Sequence, residues 1–252
     1  MSKVILGENI EKFFGEGKEK TKVLDNITVS VEEGEFVSVM GPSGSGKSTL
    51  LFALGGIDRV DKGRIVFDGN ELSAGKEKKL SDIRRTGMGF VFQQPTMLKN
   101  LNLLDNIILP AVRQDRGRIE QITKRALELM RQAGIEELAK RDITQVSGGQ
   151  LQRAGICRAL INKPKIVFGD EPTGALNSKS AETIMELFTE INQEGTAVML
   201  VTHDARVAAC SERVLFLCDG KVVSELRLSK YKEKDMKRRM EQVTGQMRVL
   251  GI

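Results

Sequence analysis

A glycine-rich segment that ends in lysine and serine is the strongest chemical feature of the sequence. Residues 41–48 read Gly-Pro-Ser-Gly-Ser-Gly-Lys-Ser and match the pattern G-x-x-x-x-G-K-[ST]. In this pattern backbone N–H groups turn toward phosphate oxygens, Lys47 brings a positive charge to the terminal phosphates, and the Ser48 hydroxyl can bind Mg²⁺. The segment therefore predicts a nucleoside triphosphate site. Its predicted binding residues are Gly41, Ser43, Gly44, Ser45, Gly46, Lys47, Ser48 and Thr49.

Two adjacent carboxylates follow a short apolar run. Residues 166–169 read Ile-Val-Phe-Gly and lead into Asp170 and Glu171. A strand of a parallel sheet would deliver both carboxylates to the sheet edge where ligands bind. Asp170 can hold Mg²⁺ through water, and Glu171 can act as general base on an attacking water. Such a run is a weak signal alone, but beside a phosphate-binding segment it predicts hydrolysis.

A second glycine-rich helix start reads Ser147-Gly148-Gly149-Gln150. A helical pattern follows it to Leu160, so its backbone N–H groups form a second anion-binding helix N-terminus. The chain thus has one complete phosphate-binding segment, at residues 41–48, but two helix N-termini that could bind phosphate. A site composed from two chains explains this pairing better than an ordinary glycine-rich turn.

His203 is the sole histidine of the chain, which excludes a histidine-based metal site. It comes directly after the apolar run 197–201, so it emerges at a sheet edge, as Asp170 and Glu171 do. We therefore predict that His203 contacts the γ-phosphate.

Alternating strand and helix patterns position these residues. Residues 1–110 read as strands and turns interrupted by one helix, and residues 103–160 read as mostly helical. The alternation predicts a mainly parallel sheet covered on both faces. The individual elements predicted are strands at 23–31, 36–40, 165–169 and 196–201 and helices at 47–54, 119–132 and 178–192.

Composition narrows the classes of function. No apolar run approaches the roughly 18–20 residues that span a bilayer, and a secretory signal is not evident, so a membrane role is expected to need a partner chain. Cys157, Cys210 and Cys218 lack metal-site spacing and are expected to be reduced thiols. From Arg227 onward the chain holds eight basic and three acidic residues, which accounts for the net charge of +5. This distribution favours an acidic partner or an anionic membrane surface over nucleic acid.

The order of these motifs resembles that of the ABC ATPase family, from about residue 3 to residue 225. The resemblance implies an α/β fold: a P-loop NTPase core of mainly parallel sheet, an antiparallel β subdomain and a helical lobe at about 95–160, together residues 1–226. It implies ATP and Mg²⁺ as cofactors, with Gln93 as a catalytic residue that joins Ser48 and Asp170 at the metal. It also implies that Phe14 stacks on adenine, although on the sequence alone Phe14 could equally be a core residue.

The family resemblance implies two partners. The first is a second copy: Ser147, Gly148, Gly149 and Gln150 of one chain close on ATP held by Lys47 of the other. The second is a separate transmembrane permease, with the ATPase peripheral at the cytoplasmic membrane face. The segment 94–101 is expected to line the groove for the permease. Its apolar candidates are Met97, Leu98 and Leu101, the last explained equally well by core packing.

Several stretches resemble exporters of peptide antibiotics, most closely the bacitracin-resistance type, and their lipoprotein-releasing relatives. They lie at 34–40, 89–93 and 171–176 and in the charged tail. The resemblance implies an ATPase that drives export or removal of a peptide antibiotic or lipophilic compound. The alternative is an ATPase that moves no substrate and acts in cell-envelope signalling or lipoprotein release. Two positions depart from the family pattern: Asn177 replaces an aspartate and Val146 a leucine.

Residues 227–252 form a basic tail with an apolar stripe. The stripe consists of Met236, Met240, Val243, Met247 and Leu250, and the basic residues Lys232, Lys234, Lys237, Arg238 and Arg239 lie mostly off it. An isolated helix of this length is marginal in water, so the stripe needs a surface. Three surfaces are open to it: the chain's own domain, the second ATPase subunit, or the permease near anionic headgroups.

Overall fold

Two β-sheets and two groups of helices make up the computed structural model, which describes residues 2–15, 17, 20–113 and 115–252. The strands are β1 (Lys3–Phe14), β2 (Thr21–Glu32), β3 (Phe36–Met40), β4 (Lys62–Phe67), β5 (Asn70–Glu71), β6 (Met88–Phe92), β7 (Ile166–Asp170), β8 (Ala197–Val201), β9 (Arg213–Cys218) and β10 (Lys221–Arg227). The helices are α1 (Lys47–Leu54), α2 (Glu77–Gly87), α3 (Leu103–Val112), α4 (Ile119–Gln132), α5 (Gly148–Leu160), α6 (Ser178–Gln193), α7 (Ala205–Ala208) and α8 (Met236–Leu250). Within the described residues, no helix has the length and apolar character needed to cross a membrane.

The larger sheet has the strand order β10-β9-β3-β8-β7-β6. The strands from β9 to β6 run parallel, and β10 returns antiparallel along β9. β3 and β8 are buried along their whole length, as expected for strands covered on both faces. Because parallel strands end at one edge, the residues that follow β3, β6, β7 and β8 meet there.

The smaller sheet is antiparallel, with the order β2-β1-β4-β5. Its apolar residues share one buried cluster with Leu50 and Leu54 of α1 and with strands of the larger sheet. This packing brings Phe14, at the end of β1, beside the segment 41–48 that precedes α1.

The helices α3, α4 and α5 form a helical lobe on the β6 side of the larger sheet. Ile107, Met130 and Ile156 are buried together in its core. The predicted fold class is confirmed: a mainly parallel sheet, an antiparallel subdomain and a helical lobe.

One helix lies where the sequence indicated only strands and turns. The prediction of a single helix within residues 1–110 is wrong, because α2 spans Glu77–Gly87. Leu80 is the one buried residue of this helix, and most of the others are charged or polar. The helix therefore lacks the apolar stripe from which it could have been predicted. Strand β7 begins at Ile166 and β8 at Ala197, each one residue later than predicted.

The helix α8 packs on the domain that precedes it. Val243 is fully buried, and Met236, Met240 and Met247 pack half-buried against the same cluster. Arg239, grouped at first with basic residues mostly off the apolar stripe, is 1% exposed. The reason is its guanidinium, which donates hydrogen bonds to three backbone carbonyls.

Candidate functional site

The segment Gly41–Ser48, here called the phosphate loop, connects β3 to α1. A Cβ at Gly41 would lie 1.9 Å from the Leu217 carbonyl oxygen, so the loop runs against the neighbouring strand. Gly46 has a φ of 99°, a left-handed conformation that favours glycine, and precedes the first turn of α1. The α1 N-terminus and the N–H groups of the loop thus form an anion-binding end.

Lys47 lies within the hollow of the phosphate loop. Its ammonium donates to the carbonyl oxygens of Gly41 at 3.0 Å and Pro42 at 2.9 Å. Burial lowers the pKa of Lys47, and the nearby carboxylates of Glu171 and Asp170 oppose this shift. The lysine, the loop and both carboxylates therefore belong to one electrostatic site.

Ser48 and Asp170 meet at the edge of the sheet. The Ser48 hydroxyl donates to Asp170 Oδ1 at 2.7 Å, which joins the start of α1 to the end of β7. A hydroxyl and a carboxylate are hard oxygen ligands of the kind that Mg²⁺ prefers together with phosphate oxygens. These two residues fit a magnesium ion.

Glu171 and His203 form a direct contact. His203 Nδ1 lies 3.0 Å from Glu171 Oε1, and 72% of the histidine side chain is exposed. The backbone N–H of Glu171 donates to the Val201 carbonyl at 3.0 Å, so the ends of β7 and β8 fix the two residues relative to each other. A carboxylate that is oriented by a neighbouring imidazole can accept a proton from a water molecule.

Gln93 follows β6 and reaches the same edge of the sheet. A Cβ at Gly174 would lie 3.0 Å from the Gln93 amide nitrogen, so this side chain lies beside the turn that follows Glu171. The buried Gln152 of α5 donates to the Phe92 carbonyl at 2.9 Å and fixes the preceding residue. The sequence analysis did not predict a role for Gln152. Its nearness to the motif at residues 147–150 was the one available signal.

Phe14 is exposed rather than part of the core, at 47% of its surface. Its ring lines a depression of about 280 Å³ together with residues of the phosphate loop. Part of the ring is therefore accessible beside the loop, and the Lys12 ammonium lies 5.1 Å from the ring centroid.

The second glycine-rich start, residues 147–150, does not line this depression. Ser147 and Gln150 cap the N-terminus of α5 reciprocally: the Ser147 N–H donates to Gln150 Oε1 at 2.8 Å, and the Gln150 N–H donates to Ser147 Oγ at 3.3 Å. Gly149 lies instead beside Lys179 and Ser180 of α6. Ser147 and Gly148 are exposed, so this helix start is accessible to a second molecule.

Comparison with known proteins identifies the class of protein that this fold and site define. Residues 24–174 match the family model described as ABC transporter. The chain therefore belongs to the ABC transporter family, as its ATP-binding ATPase component. The predicted family and ATPase activity are confirmed.

Individual relatives extend over nearly the whole chain. The ABC transporter ATP-binding protein YknY of Bacillus subtilis is 42% identical over 85% of this chain and 93% of its own length. The macrolide export ATP-binding/permease protein MacB of Mannheimia succiniciproducens is 38% identical over 86% of this chain, which spans only 34% of that protein. A structure of the ATP-binding cassette MJ0796 of Methanocaldococcus jannaschii, a dimer in a post-hydrolysis state with ADP and Pi, has a TM-score of 0.84 and 41% identity. The structural match covers 90% of this chain and 100% of the MJ0796 chain.

Proposed function

We propose that this chain is the motor subunit that dimerises around two MgATP molecules and drives a separate permease, which exports or removes a peptide antibiotic or lipophilic compound. The observation that carries the proposal is the Glu171–His203 contact at the sheet edge that also holds Lys47 and Asp170. These residues supply a base, its orienting partner and the charges for a triphosphate at one place.

Each residue of the site has a distinct proposed role. The N–H groups of the phosphate loop and Lys47 bind the phosphates, and Phe14 stacks on adenine. Ser48, Asp170 and Gln93 would hold Mg²⁺, which would supply positive charge to the bound phosphates. Glu171 accepts the proton of the attacking water, and His203 orients Glu171 and the γ-phosphate.

The position of the second helix start supports a dimer. Ser147, Gly148, Gly149 and Gln150 are accessible but lie away from the phosphate loop of their own chain. In the proposed head-to-tail dimer, each such start closes on the ATP held by the other copy. The relative MJ0796 has been solved as a dimer, which supports this arrangement.

A groove between the sheet and the helical lobe supports a permease partner. It has a volume of about 350 Å³ and is lined by Phe90, Phe92 and Pro110 beside the cations of Arg84 and Arg158. Arg158 donates to the carbonyl of Thr96, so the segment 94–101 borders the groove. Leu98 in this segment is 49% exposed, which suits a contact with another chain. The export assignment draws on the resemblance to MacB.

Replacement of the proposed base tests the ATPase mechanism. Glu171→Gln should bind ATP but hydrolyse it at least roughly 10²–10⁴-fold more slowly, because the general base is lost. ATP should then trap a dimer, measurable by size-exclusion chromatography. The control is Glu182→Gln, an exposed glutamate paired with Arg206 at 2.7 Å, which should behave as the parent. Parental turnover in Glu171→Gln would remove Glu171 from this role.

Co-purification tests the partner. The full chain, produced from its native operon context with an affinity tag, should bring down a multi-span membrane protein. A co-purified chain without a transport pathway would favour the signalling alternative over export.

A further inference from the structure

His203 lies in a short connection between two fixed points. On one side the buried Thr202 donates its N–H to the Val39 carbonyl at 3.1 Å. On the other side Asp204 accepts from the Arg206 N–H at 2.7 Å and so caps α7. Because α7 has only four residues, its far end lies close to the histidine along the chain.

That far end is bound by Arg239 of α8. The guanidinium donates to the carbonyl oxygens of Ala209 at 2.6 Å, Ser211 at 2.6 Å and Ser229 at 2.5 Å. The Tyr231 ring centroid lies 5.6 Å from the guanidinium carbon. The first two carbonyls belong to the turn that ends α7, and the third to the segment that leads into α8.

Packing alone does not explain why an arginine is buried at residue 239. Removing a charge from water is unfavourable unless hydrogen bonds compensate, and an apolar side chain of similar volume would fill the same space. What the guanidinium adds is three donors in a fixed planar arrangement, which ties three separate backbone points together. Compared with an apolar side chain, Arg239 therefore adds hydrogen bonds that fix the backbone at the end of α7.

The same helix also packs behind the phosphate loop. Met40, the last residue of β3 and the neighbour of Gly41, shares a buried cluster with Ala208, Ala209 and Val243. Thus α8 contacts the helix that follows His203 and shares a buried cluster with the residue that precedes the phosphate loop.

We propose that Arg239 of α8 is a positioning residue which holds the end of α7 and thereby keeps the His203 imidazole against Glu171. The inference rests on the proposed function, in which His203 acts on the γ-phosphate. It assigns to the basic tail a role in the chemistry of its own subunit.

The single histidine makes this link measurable without turnover. In proton NMR of the full chain, the one set of imidazole C–H signals belongs to His203. Arg239→Met keeps the length and apolar contacts of the side chain but removes its donors. We expect it to move the chemical shifts of the His203 signals. We also expect it to lower kcat about 10- to 100-fold through misplacement of the histidine, with an unchanged dissociation constant for ATP.

Three further variants separate positioning from stability. Arg238→Met replaces the exposed neighbour, which pairs with Asp235 at 3.6 Å, and should keep the parental signals and kcat. Val243→Ala removes fully buried methyl groups from the same helix and should lower the melting temperature while kcat, measured well below it, is retained. Arg239→Lys restores the charge and some of the donors, so it should recover part of the lost kcat.

Parental His203 signals and kcat in Arg239→Met would overturn the proposal, whatever its melting temperature. Equal losses of kcat in Arg239→Met and Val243→Ala would also overturn it. If Arg239→Met does not fold, Arg239→Gln, which loses the charge and most of the donors, provides the same comparison, and parental values there would overturn the proposal. His203→Ala with parental kcat would contradict the proposed function instead, while the NMR link between Arg239 and His203 would stand.

Discussion

Glu171 adopts a backbone conformation that few side chains take. Its φ of 47° lies in the left-handed region, which costs roughly 1–2 kcal/mol for a residue with a Cβ. The bond from its N–H to the Val201 carbonyl holds this conformation. The result is that Glu171 leaves the line of β7 with its carboxylate against His203 rather than continuing the strand. The proposed base is thus placed by backbone geometry as well as by its neighbours.

The buried thiols give a prediction at the scale of single residues. Burial raises the pKa of Cys157 to about 12 and that of Cys210 to about 11. Because the thiolate is the reactive form, both should resist iodoacetamide in the native protein at about pH 8. Cys218, which is half-buried, should be modified first, as mass spectrometry of tryptic peptides would show. Alkylation of all three after denaturation is the control, and rapid native modification of Cys157 would contradict the prediction.

Asn177 gives a second prediction at this scale, because it caps α6. Its Oδ1 accepts from the Ser180 N–H at 2.9 Å. Asparagine and aspartate are comparable caps, so Asn177→Asp should leave the melting temperature of the monomer nearly unchanged. If residue 177 accepts a hydrogen bond across the dimer interface, a charged hydrogen bond of roughly 1.5–3 kcal/mol should replace a neutral one of roughly 0.5–1.5 kcal/mol. In the Glu171→Gln background, the ATP-bound dimer should then tighten.

Asn177→Ala serves as the matched variant. It should lower monomer stability by about 1 kcal/mol through loss of the cap. A dimerisation constant that is the same for asparagine and aspartate would show that the charge at residue 177 has no part in the interface.

At the scale of elements, predictability followed apolar periodicity. The helix α4 was predicted at its observed bounds, because its buried residues recur at helical spacing. The helix α2 was missed because it buries one leucine and presents charged residues elsewhere. The strands β3 and β8 were readable as apolar runs since both of their faces are buried. A helix such as α2, which packs on the protein through few apolar residues, has no periodic apolar pattern in its sequence.

The segment at the edge of the permease groove supplies a prediction for one element. Buried Asn106 accepts from the Leu98 N–H at 2.7 Å and donates to the carbonyls of Leu98 and Leu101, so the loop is fixed while the Leu98 side chain remains exposed. Met97 is half-buried against the core of the lobe, which makes Leu98 the better site for substitution. Leu98→Glu should keep basal ATPase activity but lose assembly with the permease and its effect on turnover.

The matched control is Val249→Glu, which places the same charge on α8 at a side chain that is 79% exposed. It should assemble as the parent does. Loss of basal ATPase activity together with assembly in Leu98→Glu would indicate a folding defect rather than a lost contact.

At the scale of the whole molecule, the candidate site collects residues from distant parts of the sequence. The phosphate loop, Gln93, Asp170, Glu171 and His203 follow four different strands, and the order of the parallel strands brings them together. The phosphate loop, Asp170, Glu171 and His203 could be predicted from local sequence, whereas Gln93 was implied only by the family resemblance. The relation of α8 to the site could not be predicted, because it depends on Arg239 reaching backbone carbonyls 28 and 30 residues earlier in the chain. No local pattern encodes such contacts.

The contact of α8 with its own domain leads to the last prediction. Truncation after Leu228 removes the fully buried Val243 and the half-buried Met236, Met240 and Met247. At roughly 1.5–3 kcal/mol for each fully buried apolar side chain, and less for the methionines, the loss should reach at least about 3 kcal/mol. For a domain of this size, such a loss lowers the melting temperature by roughly 6–12 °C.

Differential scanning calorimetry of the isolated subunit, with Val249→Glu as a control for a change on the exposed face of α8, would measure this shift. The truncated chain should also lose ATPase activity below its melting temperature, because the end of α7 is no longer held by Arg239. Weaker assembly with the permease would then be a consequence of a damaged subunit. A parental melting temperature and ATPase activity, combined with weak and less salt-sensitive assembly, would show instead that the basic tail serves the membrane partner.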